Sequence, residues 1–203
     1  MNEEAKTLPA LYGLVLTGGA STRMGADKAL LEYRGVPQMH ATFRLLEGQV
    51  ERCFISVREE QRQEPLRAAL PQIVDRLESI GPAAGLLAAH AAYPDAAWLA
   101  VACDLPLLQT STLSGLIDAR DGGHAVVAYR SPRDGLPEPL CAIWEPAALG
   151  NLARQAEGGS YRLRDILQPA TTLLLPAPDS DVLDNVNTPQ EHERLRFRNR
   201  QDA

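Results

Sequence analysis

The residues best suited to chemistry stand close together near the amino terminus. Gly18, Gly19, Ser21, Arg23, Gly25 and Lys28 follow directly on the apolar run Leu11-Tyr12-Gly13-Leu14-Val15-Leu16. Glycine lets a backbone turn where a Cβ would clash, and lets N–H groups approach an anion closely. Arg23 and Lys28 bring two positive charges to the same turn. A buried strand emptying into such a turn makes a site for a chain of phosphates. A second candidate is Asp104, delivered by the apolar run Leu99-Ala100-Val101-Ala102 and followed by Pro106, which turns the chain out of a sheet. An ionised aspartate is a hard oxygen ligand suited to Mg²⁺, which takes few protein ligands and keeps several waters. Aspartate is equally at home in a plain turn or helix cap, so Asp104 draws its meaning from the glycine turn.

The spacing excludes two common phosphate motifs. A P-loop needs G-x-x-x-x-G-K-[ST], whereas Gly19 to Gly25 is one residue too long and Ala26 follows. The dinucleotide pattern G-x-G-x-x-G fails because Gly18 and Gly19 are adjacent. Two further segments could line a ligand crevice. Gly81-Pro82 opens an alanine-rich helix that includes Gly85, and its first N–H groups are available to an anion. Asp75 lies a few residues earlier, at the end of the short apolar run Gln72-Ile73-Val74. It suits a contact to a base or ribose, and suits a simple strand end equally well. Asn185-Val186-Asn187-Thr188-Pro189 reads as a helix start, with Thr188 as cap and Pro189 at the first helical position.

The elements that must position these groups alternate. Apolar or β-branched runs at Tyr12–Leu16, Cys53–Val57, Gln72–Val74, Ala97–Ala102, Ala125–Tyr129, Leu140–Trp144 and Thr171–Leu175 predict strands. Helical spacing marks Met39–Leu46, Ala83–Ala92 and Thr112–Arg120 between them. Such alternation predicts a three-layer α/β/α Rossmann-like fold with a mostly parallel central sheet. Ligands bind beyond the carboxyl ends of strands in such sheets, where every candidate above falls. The polar, proline-rich stretch Ser131–Pro139 is expected to be a lid or acceptor-binding loop, and the helical region past Pro146 a cap over the acceptor side.

Composition narrows the class. The 203 residues, 45% apolar and 23% charged, suit one globular domain over 1–203, with 1–8 expected to be disordered and 197–203 a fraying tail. The net charge of −6 argues against nucleic acid; Arg194, Arg196, Arg198 and Arg200 read as a solvated helix end. Cys53, Cys103 and Cys141 are widely spaced and odd in number, as expected of reduced, buried thiols in a cytoplasmic protein. The four histidines form no zinc pattern, the start of the chain reads as no signal peptide, and no stretch approaches a membrane span.

The stretch Leu16 to Lys28 matches L-x-G-G-x-x-x-R-M-G-x-x-K at every fixed position. It resembles the signature of nucleotidyltransferases that attach a nucleoside monophosphate to a phosphorylated acceptor. Cys103-Asp104-Leu105-Pro106 resembles that family's metal-binding segment, Gly81-Pro82-Ala83-Ala84-Gly85 its nucleotide-pocket wall (with Ala83 where leucine is usual), and Asn185-Val186-Asn187-Thr188-Pro189 its closing segment. Taken together, residues 14 to about 191 resemble a molybdenum cofactor guanylyltransferase of the MobA type.

The resemblance implies transfer of GMP from GTP to molybdopterin phosphate with release of pyrophosphate, using Mg²⁺ held by Asp104 and Asn187. It implies Arg23, Lys28 and Asp104 as catalytic residues. Nucleotide contacts fall to Leu16, Thr17, Gly18, Gly19, Ser21, Lys28, Asp75, Gly81, Pro82, Gly85 and Asp104, and acceptor contacts to Asn185, Arg162 and Arg164. Molybdoenzymes or other cofactor-synthesis proteins are the implied protein partners. The paired glycines and Asn187 favour GTP over CTP. Two other readings stay open: a sister transferase using CTP or a sugar- or alcohol-phosphate acceptor, and a nucleotide-binding accessory protein without turnover.

Overall fold

The computed structural model describes residues 7–17, 27–33, 35–77, 80–176 and 181–186. In chain order the elements are β1 (Leu11–Leu16), a short 3₁₀ turn (Lys28–Leu30), β2 (Glu32–Tyr33), β3 (Val36–Pro37), α1 (Gln38–Glu47), β4 (Arg52–Arg58), α2 (Pro65–Ala68) and β5 (Gln72–Asp75). They continue with α3 (Ala83–Ala92), β6 (Ala97–Ala102), α4 (Thr110–Asp118), β7 (Val126–Arg130), β8 (Pro137–Trp144), α5 (Pro146–Glu157), α6 (Leu163–Ile166) and β9 (Thr172–Leu175).

Seven strands form one sheet in the order β5-β4-β1-β6-β8-β7-β9, and β2-β3 form a separate small hairpin. The β1–β4, β1–β6, β4–β5 and β7–β9 pairs are parallel, while β8 runs antiparallel to both β6 and β7. The sheet is thus mostly parallel, as the alternating pattern predicts. From β1 the chain moves outward through β4 to β5, then returns to place β6 on the other side of β1. A crevice opens at such a reversal, beyond the carboxyl ends of the two strands that flank it. Here those ends are Leu16-Thr17 and Ala102-Cys103-Asp104.

Helices cover both faces because the strands are apolar on both. Along β6, Ala97, Leu99 and Val101 enter the core on the α1–α4 side, while Trp98 and Ala100 enter the core on the α3–α5 side. β8 alternates likewise, with Cys141 and Ile143 facing one way and Ala142 and Trp144 the other. This period-two partition is what a doubly covered sheet requires. Cys53, Cys103 and Cys141 are buried thiols, and burial pushes Cys53 and Cys141 up to about 12.

Two expectations change. The region past Pro146 is no cap: Ala148, Leu149 and Leu152 of α5 are buried in the core beside α3, so α5 belongs to the covering layer. The loop before β8 is shorter than the proline count implied, because β8 begins at Pro137. Ser131 N–H donates to Leu136 at 2.8 Å and Gly135 N–H to Ser131 at 2.9 Å, closing a tight connection in which Gly135 takes φ +71°. Among the described residues, no helix is long and apolar enough to cross a membrane. The predicted Arg194–Arg200 helix end and the termini 1–6 and 197–203 lie outside the described residues.

Candidate active site

Near their carboxyl ends, three neighbouring parallel strands place polar residues side to side. Thr17, immediately after β1, donates from Oγ1 to the backbone carbonyl of Ser56 on β4. Ser56 in turn donates from Oγ to both carboxylate oxygens of Asp75 on β5, at 3.0 and 3.1 Å. Thr17 and Ser56 are buried, and Asp75 is half-buried. Burial raises the Asp75 carboxyl to about 6, against the opposing pull of the Ser56 hydroxyl and the Arg58 charge. Asp75 is therefore a carboxyl that changes charge close to neutrality.

Gly81, Pro82 and Gly85 carry the helix that meets this row. Gly81 takes φ +68°, a conformation that side chains rarely adopt. Ala84 N–H then donates to Gly81 at 3.1 Å and starts α3. Gly85 allows the close approach of α3 to β4: a Cβ there would lie 2.6 Å from Ser56 Oγ and 2.7 Å from Leu16 Cδ2. Small residues thus bring the start of α3 onto the carboxyl ends of β1 and β4.

On the other side of the crevice stands Asp104, half-buried just past β6. Its backbone carbonyl accepts from Val186 N–H at 3.0 Å, and its Oδ1 accepts from Asn185 Nδ2 at 3.2 Å. Asn185, expected on the acceptor side, is thus a partner of the candidate metal ligand itself. Glu138, near the start of β8, is a half-buried carboxylate close to the same group. Its Oε1 accepts from Leu140 N–H at 3.0 Å. Burial holds its carboxyl above the usual range, with Asp104 and Asp134 acting the same way and Arg164 opposing them. Arg164 on α6 donates to Asp134 Oδ2 at 2.7 Å, so it reaches the loop before β8. Arg162 lies exposed just ahead of α6.

The structure thus brings Leu16, Thr17, Asp75, Gly81, Pro82 and Gly85 to one wall, and Asp104 with Asn185 to the other. Lys28 opens the 3₁₀ turn Lys28–Leu30. Gly18, Gly19, Ser21, Arg23 and Asn187 lie outside the described residues. Ser56 escaped the sequence reading; its one signal was a hydroxyl in the otherwise apolar run Cys53–Val57. Glu138 lies in the segment Pro137–Ala142, which resembles an acceptor-side segment of the nucleotidyltransferases, but no role was expected of its side chain.

The donor set suits a hard cation. The half-buried oxygens beside the crevice are carboxylate and amide, and no cluster of three or more His, Cys, Asp or Glu occurs among the described residues. A Mg²⁺ ion bound here would take one or two protein oxygens and complete its shell with phosphate and water, its usual habit.

Residues 13–174 match the MobA-like NTP transferase domain. Over 185 residues the chain is 37% identical to the molybdenum cofactor biosynthesis bifunctional protein of Synechocystis sp., across 91% of this chain and 53% of that protein. The chain thus spans about half the length of that relative. It is 35% identical over 198 residues to the probable molybdenum cofactor guanylyltransferase of Opitutus terrae, across 92% of this chain and 95% of the relative. The crystal structure of molybdopterin-guanine dinucleotide biosynthesis protein A from Archaeoglobus fulgidus shares the fold, with a TM-score of 0.78 at 20% identity over 94% of this chain and 99% of that one. With the family domain extending over most of the chain, the protein belongs to the MobA-like NTP transferases.

Proposed function

We infer that this chain, as one nucleotidyltransferase domain, transfers GMP from GTP to the phosphate of molybdopterin and releases pyrophosphate. The observation that carries the reading is the pairing of Asp104 with Asn185 at the reversal of strand order, opposite the Thr17–Ser56–Asp75 row. The relatives' names supply the guanylyl and molybdenum-cofactor assignments.

The acceptor phosphate oxygen attacks the α-phosphorus of GTP in line. A new P–O bond forms as the bond to the bridging oxygen breaks, and negative charge moves onto the departing pyrophosphate. The acceptor is already ionised at neutral pH, so no general base is required. Positioning and electrostatics supply the acceleration, as in phosphoryl transfer generally.

Backbone N–H groups of Gly18, Gly19 and Ser21, with Arg23 and Lys28, hold the triphosphate and balance the growing charge. Asp104 and Asn187 would hold Mg²⁺, which supplies charge neutralisation on the phosphates when bound. Asn185 orients the Asp104 carboxylate. Leu16, Thr17, Gly81, Pro82 and Gly85 shape the pocket for base and ribose, and Asp75 accepts hydrogen bonds from them. Arg162 and Arg164 receive the acceptor phosphate, for which guanidinium is geometrically matched. On this reading the work is cytoplasmic, and the product passes to molybdoenzymes or to other cofactor-synthesis proteins.

Calorimetric titration with GTP, CTP, ATP and UTP, each with and without Mg²⁺, tests this reading. Selective, Mg²⁺-dependent GTP binding is expected. Preference for CTP would move the protein to a cytidylyl reaction, binding of GTP without turnover would leave an accessory role, and binding of none of the four would overturn the nucleotidyltransferase reading.

A further inference from the structure

The carboxylate of Asp27 uses its two oxygens in different directions. Oδ1 accepts from Ala29 N–H at 3.1 Å and so caps the turn Lys28–Leu30. Oδ2 accepts from Arg67 Nη2 at 2.7 Å, across 40 residues of chain. Arg67 sits on α2 with its side chain 1% exposed, whereas Asp27 is 32% exposed. Glu64 Oε2 lies 3.6 Å from Arg67 Nη1, but its carboxylate is also committed to the N–H groups of Leu66 and Arg67. Arg67 Nε has no hydrogen-bond partner among the described residues. Asp27 is therefore the strongest partner of a buried guanidinium.

Burying a cation costs several kcal/mol, and apolar packing of the same volume would often stabilise a fold as well. The location offers a reason for the charge. The turn that Asp27 caps is fixed on its inner side by Ala29, which is buried in the core, and by Gln38 N–H donating to Leu31 at 2.8 Å. Gln38 also donates from Nε2 to the carbonyl of Leu105, next to Asp104. Arg67 and Asp27 supply the outer fixing point of the same strip. Their pairing also neutralises a carboxylate that would otherwise repel an anion beside Lys28.

We propose that Arg67 is a positioning residue for the triphosphate: through Asp27 it fixes the backbone of the turn that opens at Lys28, without touching the nucleotide. This rests on the nucleotidyltransferase reading above.

The test compares Mg²⁺-GTP with guanosine, which carries no phosphate, by calorimetry on the unaltered chain and on Arg67→Met, Arg67→Lys and Asp27→Asn. Arg67→Met is expected to weaken GTP binding at least tenfold and guanosine binding less than twofold, with Arg67→Lys recovering part of the loss. Asp27→Asn, whose amide can accept from Ala29 or Arg67 but not serve both as before, should weaken GTP selectively too. Adding it to Arg67→Met should cost less than a further twofold. If Arg67→Met does not fold, the Arg67→Lys and Asp27→Asn comparisons decide alone. Equal losses for GTP and guanosine, tracking thermal stability, would reduce the pair to a structural staple and overturn the proposal, as would unchanged GTP binding in all variants. Failure of the unaltered chain to bind GTP overturns the nucleotidyltransferase reading itself, and this inference with it.

Discussion

Asn185 donates from Nδ2 to Oδ1 of Asp104 at 3.2 Å, joining residues 81 positions apart in the chain. The neighbouring Val186 N–H binds the Asp104 backbone carbonyl at 3.0 Å, so the segment grips both the backbone and the side chain of that residue. One oxygen of the carboxylate is thereby given a fixed direction. Asn185→Ala removes a hydrogen bond worth about 1 kcal/mol to the fold. The expected result is a small drop in melting temperature but about a tenfold loss in kcat/KM for Mg²⁺-GTP, partly restored by raising Mg²⁺. Steady-state rates across a Mg²⁺ series would read this; a loss unaffected by Mg²⁺ would argue that Asn185 serves the acceptor instead.

Asp75 gives a pH signature. Its carboxyl rises from 3.8 in the unfolded chain to about 6 in the fold, chiefly through burial. Between those values the folded protein keeps a proton that the unfolded chain has released. Stability therefore falls as pH rises from about 4 to about 6 and levels off above. Asp75→Asn should remove that slope and raise stability at pH 7.5 by on the order of 1–3 kcal/mol. GTP affinity of the parent should fall as pH drops below about 6, while the variant binds more weakly and without that step. Urea titrations and calorimetry over the same pH range would check both halves.

Gly85 makes a steric prediction. An added Cβ would lie 2.6 Å from Ser56 Oγ, 2.7 Å from Leu16 Cδ2 and 3.0 Å from Ser56 Cβ. Gly85→Ala should cost about 1–3 kcal/mol as α3 lifts from the sheet, and should weaken nucleotide binding by disturbing the Ser56–Asp75 contact. Adding Ser56→Ala removes the nearest obstacle but not Leu16, so stability should return only in part. Full recovery in the double variant would contradict this geometry.

Much of the architecture was legible because apolar runs of strand length recur between helical patterns. Cys53–Val57 and Ala97–Ala102 are each apolar enough for a strand covered on both faces. What the sequence hid is contact between distant segments. Nothing local marks Asn185 as a partner of Asp104, or Arg67 as the partner of Asp27. Ser56 was concealed because one hydroxyl scarcely disturbs an apolar run. The antiparallel direction of β8 was hidden too, since direction depends on whether a short loop or a crossover precedes a strand. The stretch after Pro146 misled for a related reason: α5 buries only one stripe, so its exposed residues made it look peripheral.

Arg120 and Glu145 test the opposite end of the sheet. They are 7% and 9% exposed and pair through two hydrogen bonds, Nε to Oε1 at 2.5 Å and Nη2 to Oε2 at 3.0 Å. Arg120 Nη2 also donates to the Pro9 carbonyl at 2.8 Å, tying down the chain before β1. Arg120→Met leaves Glu145 buried without its partner and should cost about 3–5 kcal/mol. Because the pair lies at the amino ends of the parallel strands, GTP affinity of the folded variant should match the parent. Thermal denaturation beside calorimetry would separate the two effects.

Transfer of a guanylyl group is read by following the α-phosphate of GTP. The purified protein would be given α-phosphate-labelled GTP, Mg²⁺ and molybdopterin, with pyrophosphate and labelled product measured together, alongside a Lys28→Ala variant. One pyrophosphate per labelled dinucleotide is expected, with dependence on molybdopterin and a rate at least tenfold lower in the variant with its fold intact. Label that stays in GTP under these conditions, transfer from CTP in its place, or an unchanged rate in Lys28→Ala would contradict this expectation.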